Sequence, residues 1–339
     1  MAFFGTLAFA QDARLEPLTA QLSNLLPNDE AGVAVGLIEG GNETMTFVGD
    51  PDFTGETLFE FGSITKVFTA IVLAQLAQEG AVELDESINP YLPARVQAPR
   101  WETVTFEQLA THSAGLPTLP PDMGLLYMLR HGDNPYADYD EGRLYEAVAE
   151  VELEPSDYTY SNFGFGLLGT LLSKTTGTPY AELVEAQVLS PLEMTGATVA
   201  GWRSGNRASP LSAQGEPVSA WDFRALAGAG AVRGSLADAL KFLQASMTAC
   251  EAETPLAVAN CQAQQATGVS TGPNAPQGLG WIRYRSDAGE IVWHNGGTGG
   301  FASFLGFNTD KGVGIVLLAN FAKMEEVTTA GIEFLATLE

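Results

Sequence analysis

The stretch Val67-Phe68-Thr69-Ala70-Ile71-Val72-Leu73-Ala74-Gln75-Leu76 is apolar almost all the way round a helix. A helix with no polar face has to be buried, so the rest of the chain must enclose it. The pattern predicts a helix from about 63 to 78, stopped at Gly80. With 339 residues, 45% of them hydrophobic, the chain can bury a large core. No internal repeat, charge block or Gly/Ser linker divides it, which points to one compact unit of two interleaved subdomains.

Ser63-Ile64-Thr65-Lys66 opens this helix and is the only Ser-x-x-Lys in the chain. Residues three apart on a helix share a face, so the Ser63 hydroxyl and the Lys66 amine are expected within mutual reach. Burial disfavours an ammonium, and a buried Lys66 would accept the serine proton near neutral pH. Ser63 is therefore the candidate nucleophile and Lys66 its base. The plain alternative is a serine cap followed by a surface lysine. Only five lysines occur, at 66, 174, 241, 311 and 323, which makes one at the start of a buried helix more telling.

Composition narrows the partners. The formal net charge is −25, from 41 acidic against 16 basic residues, and nucleic acid, which is bound by clustered cations, is not an expected partner. No apolar run is long enough to span a membrane. Residues 1–10 form a short apolar stretch ending Ala8-Phe9-Ala10, a pattern that suits a clipped export signal although a basic start is missing. A periplasmic or secreted location is the expectation. Cys250 and Cys261 would then close a small loop as a disulfide worth about 2–3 kcal/mol. Two cysteines and three scattered histidines give no metal-ligand spacing, so neither a metal nor another cofactor is expected. No heptad or exposed stripe speaks to oligomeric state.

Helical spacing over 12–26 is followed by strand-like runs at 32–38 and 43–48, with Gly40-Gly41-Asn42 as the hairpin turn. From about 84 to 225 short helices are expected between Pro- and Gly-rich loops. A helix near 235–248, strands near 278–284, 290–294, 301–307 and 312–319, and a last helix at about 325–337 follow. The fold class is thus α/β in the α+β sense: an antiparallel sheet completed by both termini and flanked by helices, beside a mostly helical lobe. Residues 11–339 read as one catalytic domain, with a sheet lobe of about 11–62 and 226–339 and a helical lobe of about 63–225. An active site is expected between the lobes.

Two further motifs fit that cleft. Tyr160-Ser161-Asn162 supplies a phenol, whose proton a nearby ammonium would loosen for relay, and an amide that both donates and accepts. Trp293-His294-Asn295-Gly296-Gly297-Thr298-Gly299-Gly300-Phe301 lies between strand-like runs, where glycines let a substrate approach the backbone. The Gly297 N–H and the Ser63 N–H are the candidate oxyanion donors.

In this order and rough spacing, the three motifs resemble those of the serine β-lactamase and penicillin-binding superfamily, in particular its class C-like branch with its carboxylesterase and DD-peptidase relatives. The stretches 84–93, Leu109-Ala110-Thr111-His112-Ser113-Ala114-Gly115-Leu116-Pro117 and Gly278-Leu279-Gly280-Trp281 are similar to segments of that family too, so the likeness covers roughly 30–320. The resemblance implies the β-lactamase/transpeptidase-like fold and a serine hydrolase with an acylated Ser63, proton transfer by Lys66 and Tyr160, and substrate contacts at Asn162, His294, Asn295, Gly296 and Gly297. The implied substrate is a small acyl compound: a β-lactam, an ester or a D-alanyl peptide of the peptidoglycan stem. Two departures stand against efficient β-lactamase action. His294 replaces the lysine usual in class C enzymes, removing a permanent cation, and Leu119 falls where those enzymes carry a glutamine. The imidazole is expected to regain its charge as pH falls toward about 6.5. A penicillin-binding sensor or scaffold that is acylated with little turnover is the alternative.

Two readings from other classes fail. Gly164-Phe165-Gly166-Leu167-Leu168-Gly169 matches a dinucleotide fingerprint, but no buried parallel strand precedes it. Gly268-Val269-Ser270-Thr271-Gly272 matches Gly-x-Ser-x-Gly in spacing, but Pro- and Gly-rich sequence rather than a helix follows it, so it is not the strand-to-helix elbow of a Ser-His-Asp hydrolase.

Overall fold

The computed structural model describes residues 14–338; the apolar start at 1–10, read above as an export signal, lies outside them. The described residues form ten strands: β1 Gly32–Glu39, β2 Asn42–Gly49, β3 Leu58–Glu60, β4 Arg233–Ser235, β5 Ser270–Gly272, β6 Ala275–Pro276, β7 Ile282–Ser286, β8 Gly289–Gly297, β9 Ala302–Asn308 and β10 Val313–Ala319. Six of them make one sheet in the order β2-β1-β10-β9-β8-β7, antiparallel throughout. The N-terminal hairpin therefore lies against the last strand of the chain. β3 pairs with β4, and β5 with β6, in two small ribbons.

Period-two alternation divides the core into two halves. Val33, Val35 and Leu37 of β1, Ile315 and Leu317 of β10 and Phe304 of β9 share one side with the helices Leu15–Ser23 and Met324–Ala336. Ala34 and Ile38, Val316 and Leu318, and Leu305 and Phe307 turn to the other side, which the helix Leu236–Met247 covers. With both faces covered, the central strands are apolar at almost every position.

Thr65–Leu76 of the helix Thr65–Gln78 is buried at every residue. It is enclosed by the helices Asn162–Thr176, Tyr180–Val184, Ala227–Gly230 and Pro255–Gln264. Phe68 stacks on Phe242 at 4.1 Å, and Trp281 lies parallel to Phe242 at 6.3 Å. Among the described residues no helix is long and apolar enough to cross a membrane.

Three details differ from the sequence reading. The strand expected at 278–284 begins only at Ile282, because the chain first turns to bury Trp281; a Gly278 N–H to Trp281 carbonyl bond of 2.8 Å closes that turn. The helix Pro255–Gln264 was not expected, although Thr254 caps it and Pro255 opens it. It carries Cys261, which is bonded to Cys250. The middle section is helical only as far as Leu189; residues 190–223 form a long loop that bridges to β3, β4 and the segment after β10.

Candidate active site

Ser63 occupies a single 3₁₀ turn, Gly62–Ile64, at the mouth of the buried helix. Its side chain caps nothing, which removes the plain reading of this serine. The Lys66 amine is fully buried and lies 3.0 Å from Ser63 Oγ, 2.7 Å from Asn162 Oδ1 and 2.8 Å from the Ala229 carbonyl oxygen. Burial holds its pKa well below the usual lysine range. The partners fix what a neutral amine does here. The two carbonyl oxygens can only accept, so they take its two N–H bonds and leave the nitrogen lone pair for the Ser63 hydroxyl. That is the arrangement of a base primed toward one proton.

Asn162 is the first residue of its helix, and the cap is Ser161, whose hydroxyl accepts from the Gly164 N–H at 2.8 Å and donates to the Pro117 carbonyl at 2.6 Å. Asn162 also reaches the Tyr136 hydroxyl. Tyr160 is half-buried; its hydroxyl bonds to Ser63, and Lys66 Nζ sits 4.8 Å from its ring centroid. The sequence reading had a neighbouring ammonium easing the phenol proton away. Burial wins instead and pushes the Tyr160 pKa up, with the Ser63 bond only partly opposing it. Tyr160 is therefore held as a neutral phenol rather than as a phenolate.

β8 forms the opposite wall. Where it outruns β7 it presses against the turn that holds Ser63. A Cβ on Gly296 would lie 2.0 Å from the Phe61 carbonyl oxygen, and one on Gly62, whose φ is +53°, would lie 2.7 Å from the Gly297 nitrogen. Only glycine permits this backbone-to-backbone approach. Ser303 Oγ adds a 2.8 Å hydrogen bond to the same Phe61 carbonyl. Gly296 and Gly297 are thus brought to Ser63.

His294 and Asn295 part company on this strand. His294 shares the face of Val292 and Gly296, toward the helical side, and is 1% exposed. Burial first, and second any proton held by the nearby Lys66, lowers its pKa to about 3, which overturns the expectation of a charge returning near 6.5. Its Nδ1 lies 2.5 Å from the Asn295 carbonyl oxygen and must donate to it, so Nε2 carries a lone pair. Asn295 turns to the other face, where its amide donates to Thr328 Oγ1 at 2.9 Å. A substrate contact by the Asn295 side chain is therefore corrected: alternation points it away from Ser63, toward the last helix.

The site also uses residues the motifs did not reveal. Ala229 contributes only its backbone, Tyr136 has no motif around it, and His112 lies inside a quoted segment but carried no role. Beneath the site a buried ion pair, Arg233 with Glu60 at 3.2 Å, joins β3 to β4. Glu60 also accepts the Trp221 N–H at 2.9 Å, and Arg233 donates to the Trp221 carbonyl, so the pair pins the long loop against the cleft.

A family model described as Beta-lactamase matches residues 22–337. A beta-lactamase of Pseudomonas fluorescens is 27% identical over 352 residues, covering 91% of this chain and 92% of that protein. The D-alanyl-D-alanine-carboxypeptidase/endopeptidase AmpH of Escherichia coli (strain K12) is 24% identical over 276 residues, covering 76% of this chain and 70% of its own. Among solved structures, a class C beta lactamase from Rhodobacter sphaeroides superposes with a TM-score of 0.81 at 22% identity, over 94% of this chain and 98% of that one. A beta-lactamase/D-alanine carboxypeptidase from Pseudomonas syringae gives 0.80 at 21% identity, over 96% and 100%. These superpositions establish the β-lactamase/transpeptidase-like fold.

Proposed function

Because this chain belongs to the beta-lactamase family and is a serine hydrolase, we propose that it cleaves small acyl substrates through a covalent Ser63 acyl-enzyme. The observation that carries this reading is the Lys66 amine, whose two carbonyl partners leave its lone pair to Ser63. Lys66 takes the hydroxyl proton as Ser63 Oγ attacks the substrate carbonyl, and the Ser63 and Gly297 N–H groups receive the developing oxyanion. Tyr160, a neutral phenol bonded to Ser63, hands its proton to the leaving group as it receives the one Lys66 took, and in deacylation it relays a proton from the attacking water to Lys66, which returns it to Ser63 Oγ. Asn162 holds Lys66 in place.

The substrate reading follows from His294. A neutral imidazole offers a carboxylate no cation, so uncharged esters are favoured over carboxylate-bearing β-lactams, with weak β-lactam turnover remaining. The relatives named for beta-lactamase and D-alanyl carboxypeptidase activities keep both substrate classes in the test. Export to the periplasm or beyond goes with the bonded Cys250–Cys261 pair.

Intact mass after exposure to a fluorophosphonate should show one adduct per chain, absent in Ser63→Ala. Steady-state rates on nitrocefin, a short-chain p-nitrophenyl ester and a D-Ala-D-Ala peptide then rank the substrates. An adduct elsewhere removes the mechanism, and a burst of one label with no sustained product would restore the sensor reading.

A further inference from the structure

His112 sits directly behind the Tyr160 segment and grips it from two sides. Its backbone carbonyl accepts the Thr159 N–H at 2.8 Å, and its Nδ1 accepts the Ser161 N–H at 2.9 Å. The amides on either side of Tyr160 are thus both held by one residue. Its ring lies 4.5 Å from the Tyr160 ring, with Phe165 at 4.9 Å and Tyr158 at 5.7 Å closing the cage. A φ of +60° lets the backbone and the side chain of one residue face the same neighbouring segment. A backbone N–H can only donate, so Nδ1 is the acceptor and the ring proton is on Nε2, which is buried without a partner.

We propose that His112 is a positioning residue for Tyr160, fixing the phenol over Ser63 by holding the amides of Thr159 and Ser161. This rests on the reading of Tyr160 as the group that moves protons at Ser63. A phenol displaced by a fraction of an ångström still leaves substrate room to bind, so the loss falls on turnover rather than on binding.

The test compares three substitutions. Asparagine carries its amide oxygen where Nδ1 stands and tolerates a positive φ; glutamine carries its oxygen one atom further out, where Nε2 stands. His112→Leu and His112→Gln should lower kcat on a short-chain p-nitrophenyl ester by about 10- to 100-fold with KM changed less than about threefold, whereas His112→Asn should stay within about threefold of wild type. In a Tyr160→Phe background His112→Leu should cost less than about twofold more, because the two act as one unit. Thermal melts identify any variant that does not fold, and the Asn against Gln comparison then decides. Glutamine, the closer match in size, rescuing as well as asparagine would reduce His112 to a space filler and overturn the proposal. So would equal losses in both Tyr160 backgrounds. A Tyr160→Phe enzyme with full kcat would instead overturn the role of Tyr160 itself, and this inference with it; an impaired Tyr160→Phe beside an unimpaired His112→Leu sinks the inference alone.

Discussion

The chemistry proposed at Ser63 depends on a lysine that can give up its proton. Lys66→Arg keeps most of the length but installs a guanidinium, which stays protonated at any working pH. We expect it to lower the rate of acylation by at least about 10²-fold, the scale of a lost general base, in stopped-flow measurements with a p-nitrophenyl ester. An arginine variant with wild-type acylation would take the base role from position 66. His294 gives the second prediction. Its burial holds it neutral, so the ratio of ester to penicillin kcat/KM should stay flat from about pH 5 to 8, where an ordinary imidazole would tilt it. His294→Lys should raise penicillin kcat/KM relative to ester, and a ratio that moves with pH in the wild type would contradict the neutral assignment. Ser63, Lys66, Tyr160 and Asn162 were legible because their residue types and spacing are the chemistry. The charge state of His294 and the direction in which Asn295 points were not, because burial and strand alternation are set by neighbours far along the chain.

At the scale of elements, the site is a contact between one turn and one strand. Gly296→Ala would drive a methyl group into the Phe61 carbonyl, so β8 must move off the turn. We expect kcat/KM to fall about tenfold or more, and a lower melting temperature reflecting about 1–3 kcal/mol of overpacking strain. Unchanged activity in a folded alanine variant would mean that this approach does not set the oxyanion geometry. The elements with strong periodicity were readable: the buried helix from its lack of a polar face, β1, β9 and β10 from nearly continuous apolar runs, β2 from its strand-like alternation, the last helix from its spacing. Pro255–Gln264 was not, because its moderately polar sequence has no strong stripe and its stability comes from packing on the central helix. The strand expected at 278 failed for a related reason. Leu279 and Trp281 are apolar because a turn buries them, and pattern alone does not tell a buried turn from a strand.

For the whole molecule, three groups kept uncharged by burial make stability depend on pH. The folded state holds His294 neutral down to about 3, whereas in the unfolded chain it takes up a proton below about 6.5. The unfolded state then binds more protons across that window, so this contribution falls as pH drops, by about 1.4 kcal/mol per unit. His112 and Lys66, also lowered by burial, act with the same sign. Relief of repulsion among the many carboxylates opposes them, so the clean measurement is a difference: the stability of His294→Asn relative to wild type should improve steadily as urea melts are repeated from about pH 7 to 5. A difference independent of pH would show the imidazole to be free to charge.

The sheet that joins the two ends of the chain also sets when the protein can come into being. β1 lies between β2 and β10, and the Gly32 amide is held by the side chain of Asn320, 288 positions later. During synthesis the hairpin of β1 and β2 has to wait with one edge bare until β10 has been made. Folding is then a single late event dominated by distant pairings, slow in kind, and the waiting chain is open to holding factors and to threading. Chains ended at residue 312, before β10, should show proteolysis of the whole polypeptide rather than a protected helical half, as limited trypsin digestion of the released product would reveal.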